Sequence, residues 1–158
     1  MKKGTLALLS ALLGVAAGAA GSSYMGNKKI EQKAQKVDKF KSYYNMLNQW
    51  LILKQEGKSL KDYFNSYGYK TVAIYGMGEM GNRLYEELKG TEIEVKYAVD
   101  QNAASTYSEL DVLEKEDDFE KVDVMIVTAT FAFDEIEAEI ADKVDFPIVS
   151  LEDVVYEI

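Results

Sequence analysis

An α/β fold built on a small parallel sheet is predicted by three features of this 158-residue chain. The run "KTVAIYG" at 70–76 is rich in β-favouring residues and ends on glycine. The segment "EMGNRLYEELKG" at 79–90 follows as a helix closed by Gly90, with Leu84 and Leu88 on one face and Met80 in line. A second strand-like run, "IEVKYAVD", ends at Asp100. Strand, tight turn, helix and strand make the unit from which parallel sheets are assembled.

The chain opens on "MKKGTLALLSALLGVAAGAAGSSYMGNKKI". Gly4 to Asn27 holds 24 residues without a charge, and a membrane-spanning helix needs roughly 20. A signal peptide cut after Ala17–Ala19 and an uncleaved anchor both fit this pattern. The basic run Lys28, Lys29, Lys33, Lys36, Lys39 and Lys41 outweighs Lys2 and Lys3, which favours an anchor with the following residues on the cytoplasmic side. Those lysines are also placed to touch anionic lipid. Gly14 and Gly18 form G-x-x-x-G, a spacing that allows two such helices to pair into a homodimer.

Residues 28–67 are expected to be a basic helical region. Ile30, Ala34, Val37, Phe40, Tyr44, Leu47 and Leu51 recur at spacings of three and four. This stripe could pack on the following domain, lie on a membrane surface or pair with a second copy. Trp50 reads as core. "GKS" at 57–59 is not a phosphate loop, because Ile52 stands where that pattern needs glycine and no strand precedes it. Gly57 instead ends a helix and Ser59 caps the next, with Asp62 completing a capping-box-like "SLKD".

Residues 68–158 are expected to be a Rossmann-like domain. "YGMGEMG" sets Gly76, Gly78 and Gly81 in the spacing G-x-G-x-x-G between strand and helix. The first glycine permits the turn, the second admits a pyrophosphate and the third lets helix and strand approach closely. The candidate binding turn is therefore Gly76, Met77, Gly78, Glu79, Met80 and Gly81, with helix N–H groups aimed at a phosphate. Glu79 competes for that positive helix end. Asp100 is placed to accept hydrogen bonds from ribose hydroxyls, which favours NAD over NADP.

An apolar strand, Val122–Val127, then leads to Thr128 and Thr130 at its carboxyl end, where open parallel sheets bind ligands. Thr130 is also expected to cap the helix "FDEIEAEIAD", in which Ile136 and Ile140 share a face. "FPIVS" closes the sheet, and "LEDVVYEI" is a terminal helix or an extended tail. The total is about four or five parallel strands, one mononucleotide-binding half without a substrate domain.

Composition narrows the chemistry. There is no cysteine and no histidine, which removes disulfides, thiolate and imidazole catalysis and most zinc or haem sites; no metal is expected. Residues 1–91 carry 14 Lys/Arg against 7 Asp/Glu, and residues 92–158 carry 4 against 20. The acidic half argues against nucleic-acid binding. Tyr85 and Lys89 make Y-x-x-x-K, but on the first helix after the turn, behind the phosphate position, so the match is accidental.

Taken together, "IYGMGEMG", "AVDQNA" and "VDVMIVTAT" resemble small NAD(P)-binding-like Rossmann domains of bacterial surface-polysaccharide and glycosyltransferase proteins, over about residues 47–155. The N-terminal segment looks like the short anchors of some members. The resemblance implies a membrane-proximal role in cell-surface glycan assembly and supplies no reaction. Three functions fit: a membrane-tethered module binding NAD or a nucleotide-sugar, beside a membrane-associated protein partner; a scaffold with a degenerate Rossmann domain; and a small oxidoreductase or sugar-nucleotide enzyme completed by a partner chain. The missing imidazole, thiol and substrate domain weigh against the enzyme.

Overall fold

The computed structural model describes residues 33–158 except 35 and 107. The segment read as an anchor, residues 4–27, lies outside the described residues, as does the G-x-x-x-G pair. No helix among the described residues is long and apolar enough to cross a membrane. The chain separates into two units, 1–43 and 44–158. In the first, residues 33–34 and 36–43 are helical, and Val37 and Phe40 are exposed.

The second unit is α/β. Helix α1 covers residues 44–55, and α2 covers Lys61–Tyr67. Then follow β1 (Thr71–Tyr75), α3 (Glu79–Leu88), β2 (Glu94–Val99), β3 (Val112–Leu113), β4 (Val124–Val127), α4 (Phe133–Ile140), β5 (Ile148–Ser150) and α5 (Leu151–Glu157). The five strands form one sheet in the order β3-β2-β1-β4-β5, every pair parallel. From the central β1 the chain builds outward through β2 and β3, then crosses back to β4 and β5. This is consistent with a Rossmann-like fold. The helices α1 and α2, read from the sequence as part of a region 28–67, fall in the same compact unit as the sheet.

Alternation along β1 divides the core. Ala73 and Tyr75 join Tyr97, Val99, Met125 and Val127 on one face, closed by Ile136 and Ile140 of α4 and by Phe146. Val72 and Ile74 face the other way, toward α3, whose Met80, Leu84 and Leu88 are buried. The final segment is helical: the Ser150 hydroxyl caps α5 by accepting the Glu152 N–H at 3.2 Å.

The "GKS" segment is punctuation, as the residues suggested. Lys58 N–H donates to the Leu53 carbonyl at 2.9 Å and Gly57 N–H to that of Lys54 at 3.1 Å, the paired bonds of a glycine-ended helix. Ser59 N–H donates to Asp62 Oδ2 at 3.0 Å, half of the expected box. Ser59 is not the cap expected of it: the residue preceding α2 is Leu60 and no side chain caps the helix, while the Ser59 hydroxyl is turned to Glu87, donating to Oε1 at 3.0 Å, and lies 3.4 Å from the Lys61 N–H.

Glu87 joins three helices. Its carboxylate also accepts from Trp50 Nε1 at 2.7 Å and Leu60 N–H at 2.9 Å, and pairs with Lys54 Nζ at 2.7 Å. Its side chain is 5% exposed. Burial alone would raise its pKa; the donors from Lys54, Leu60, Trp50 and Ser59 outweigh burial and hold the carboxyl below its ordinary value. Trp50 is thus core, with its indole N–H satisfied by this buried acid.

Candidate functional site

The strand register assembles the site. Tyr75 of β1 stands opposite Val99 of β2 and Val127 of β4. The next residue of each strand is Gly76, Asp100 and Thr128, so all three meet at the carboxyl ends of the central strands. Here the two wings of the sheet part.

Gly76 turns the chain with φ +97°, a conformation that L side chains rarely adopt. A Cβ there would lie 2.8 Å from Thr128 Oγ1. The hydroxyl occupies that space because it donates to the Gly76 carbonyl at 2.6 Å, with the Tyr75 carbonyl also near at 3.2 Å. Gly81 is required by packing: a Cβ would sit 2.1 Å from the Gly76 carbonyl oxygen. Gly78 differs from both. It has φ −72°, and a Cβ built on it meets nothing within 4 Å. It precedes α3, whose first turn receives no side-chain cap.

Met77 is buried, whereas Glu79 is exposed in the first turn of α3. Met80 is buried in the core. Asp100 does more than stand at a strand end. One carboxylate oxygen accepts the Met77 N–H at 2.8 Å and the other accepts the Asn102 N–H at 2.8 Å. The side chain ties the glycine turn to the loop after β2, and one lone pair on each oxygen stays available for another donor.

Thr130 does not perform its expected capping role. It begins a 3₁₀ turn, Thr130–Ala132, that intervenes before α4; the residue preceding α4 is Ala132, and no side chain caps the helix. Thr130 therefore lies beside the β4 end of the site, half-buried, without the bond assigned to it.

Asn82 escaped the sequence reading. Its Nδ2 donates to the carbonyls of Met77 at 3.0 Å and Gly78 at 2.9 Å, fixing the turn from inside α3. The available signal was an asparagine, a poor helix former, one residue after the third glycine. Below the turn, the Tyr75 hydroxyl is buried without a hydrogen-bond partner among the described residues. Burial, and after it the charge of Glu139, raises its pKa, so it stays a neutral phenol.

The Tyr85–Lys89 pair stands away from this centre. Both side chains meet Glu109 Oε2, Tyr85 at 3.2 Å and Lys89 at 2.6 Å, on an exposed surface. The described residues contain no cluster of His, Cys, Asp or Glu able to hold a metal ion. The chain matches no protein-family model, no curated protein and no solved structure.

Proposed function

We propose that this protein is a membrane-tethered module that binds a nucleotide, NAD-like or a nucleotide-sugar, at the turn 76–81. Gly78 carries the reading. Gly76 and Gly81 are explained by backbone conformation and packing, whereas neither explains glycine at 78. A bare backbone next to uncapped helix N–H groups suits a pyrophosphate, which needs close approach and a positive helix end. Asp100 and the β4 end with Thr128 and Thr130 would flank the ligand. A regulatory or accessory place in surface-polysaccharide assembly, on the cytoplasmic side, rests on the family resemblance alone.

The competing reading is a scaffold that binds no nucleotide, favoured by the Asp100 carboxylate, which satisfies the Met77 N–H within the protein itself. Thermal shifts of the detergent-solubilised full chain with NAD, NADP, nucleotide-sugars and coenzyme A separate the two. A ligand at about 100 times its Kd stabilises by about 2.7 kcal/mol. Gly78→Ala should abolish that response while changing ligand-free stability by less than about 0.5 kcal/mol, since the weaker N-cap is offset by a stiffer unfolded chain. A panel without any shift refutes the module and leaves the scaffold.

A further inference from the structure

Helix α1 presents two apolar faces. Met46, Trp50 and Leu53 are buried in the sheet-bearing unit, whereas Tyr44 is 69% exposed, Leu47 38% and Leu51 56%. At 100° per residue the exposed three form a strip roughly 130° around the helix from the buried three. The stripe legible in the sequence is therefore not the surface that packs on the domain. The segment just before it, 28–43, carries six lysines against Glu31 and Asp38, and Lys33, Lys36 and Lys41 are exposed.

We infer that the Tyr44–Leu47–Leu51 face of α1 is seated on an anionic lipid surface. An apolar strip that follows a lysine-rich segment in the sequence is the pattern of a helix lying in a bilayer interface, with apolar side chains among the acyl chains and ammonium groups among phosphates. A second copy is the weaker occupant, because each copy brings the same lysine-rich segment 28–43 to the pairing. Residues 92–158, with 4 basic and 20 acidic residues, are repelled by such a surface, whereas residues 44–55 carry no acidic side chain. The inference rests in part on reading residues 4–27 as an anchor, since that segment would hold α1 near the bilayer.

The chain has no cysteine, so an environment-sensitive dye can be attached at one chosen position. Leu47→Cys and Leu51→Cys report the face, and Asp142→Cys, an exposed site in the acidic half, is the reference. The labelled full chain is placed in phosphatidylcholine vesicles with or without phosphatidylglycerol, and spin-labelled lipids serve as quenchers. Trp50 emission verifies that each variant is folded. The dye on both face variants should lose most of its fluorescence to the quencher when phosphatidylglycerol is present and less without it, while Asp142→Cys is unaffected. A dye that stays in water in a membrane-held chain overturns the inference. So does an unlabelled Leu47→Cys that forms disulfide-linked dimers equally in both vesicle types, which assigns the face to a second copy. An alkaline carbonate wash tests the anchor separately: release of the chain refutes the anchor, and the quenching read before the wash still decides the face.

Discussion

Replacing Glu87 by glutamine removes one charge from a carboxylate that holds α1, α2 and α3 together, with almost no change of shape. In the wild type Oε1 accepts from Lys54, Ser59 and Leu60, and Oε2 accepts from Trp50. If the glutamine oxygen takes the Oε1 position, its NH2 group faces the indole N–H, donor against donor. An unsatisfied buried donor costs about 1–3 kcal/mol, and bonds that change from charged to neutral weaken by up to about 1 kcal/mol each. The Lys54 ammonium is 47% exposed, so losing its pairing adds less than about 1 kcal/mol. A total near 3 kcal/mol follows, a large part of a stability of about 5–15 kcal/mol. Urea unfolding read by far-UV circular dichroism should show a midpoint lowered by about 1–3 M. Trp50 is the only tryptophan, so a change in its native emission reports the lost bond directly. The pH dependence has a definite sign. The folded Glu87 carboxyl titrates below its ordinary value, so its contribution is present above the unfolded pKa and is lost as pH falls through the folded one. Glu87→Gln should flatten that acid limb. An unchanged midpoint together with unchanged Trp50 emission would refute the assignment of Glu87 as the junction.

Gly81→Ala sets a Cβ 2.1 Å from a backbone oxygen and should cost about 2 kcal/mol or more despite a helix-propensity gain near 1 kcal/mol; a more stable variant in urea titration would contradict the packing. Asp100→Ala releases the Met77 and Asn102 N–H groups and should lose about 2 kcal/mol without any ligand present. Calorimetry on Asp100→Asn, which keeps one acceptor, should give a smaller loss. Thr128→Val keeps the shape and removes the bond to Gly76, for a cost near 1 kcal/mol in the same assay.

The legible parts of the fold were those written in local pattern. The runs ending at Tyr75 and Val99 are β-rich and bounded by turn residues, and Met80, Leu84 and Leu88 repeat at helical spacing; all are where they were expected. At the site, Gly76, Asp100 and Thr128 each follow the last residue of a strand, so strand ends alone indicated that they meet. What local pattern could not encode was tertiary choice. Glu87 sits on a helix like any solvated acid, and nothing nearby in sequence announces partners 27 to 37 residues earlier. The two faces of α1 are both apolar, so periodicity could not tell which one the domain covers. Thr130 has the pattern of a cap only where a helix follows its strand directly, and here a 3₁₀ turn separates the two. Asn82 acquires a task only through its fold-back onto Met77 and Gly78, a contact that local pattern does not encode.

The central position of β1 also sets an order of events during synthesis. Both neighbours of this strand lie later in the chain, and the hydroxyl that completes the glycine turn comes 52 residues after it. A nascent chain that has emerged only through β2 can already form the Asp100 tie to Met77, but it has no β4 and no Thr128. Such an intermediate carries an open edge on its innermost strand and half of a turn. Long-range parallel pairing is slow to form, so the exposed flank of β1 persists until the acidic stretch 114–123 has followed it out. That stretch carries Glu114, Glu116, Asp117, Asp118, Glu120 and Asp123 against Lys115 and Lys121, and its net negative charge reaches solvent just before the strand that shields β1, where it discourages unfinished chains from pairing with one another.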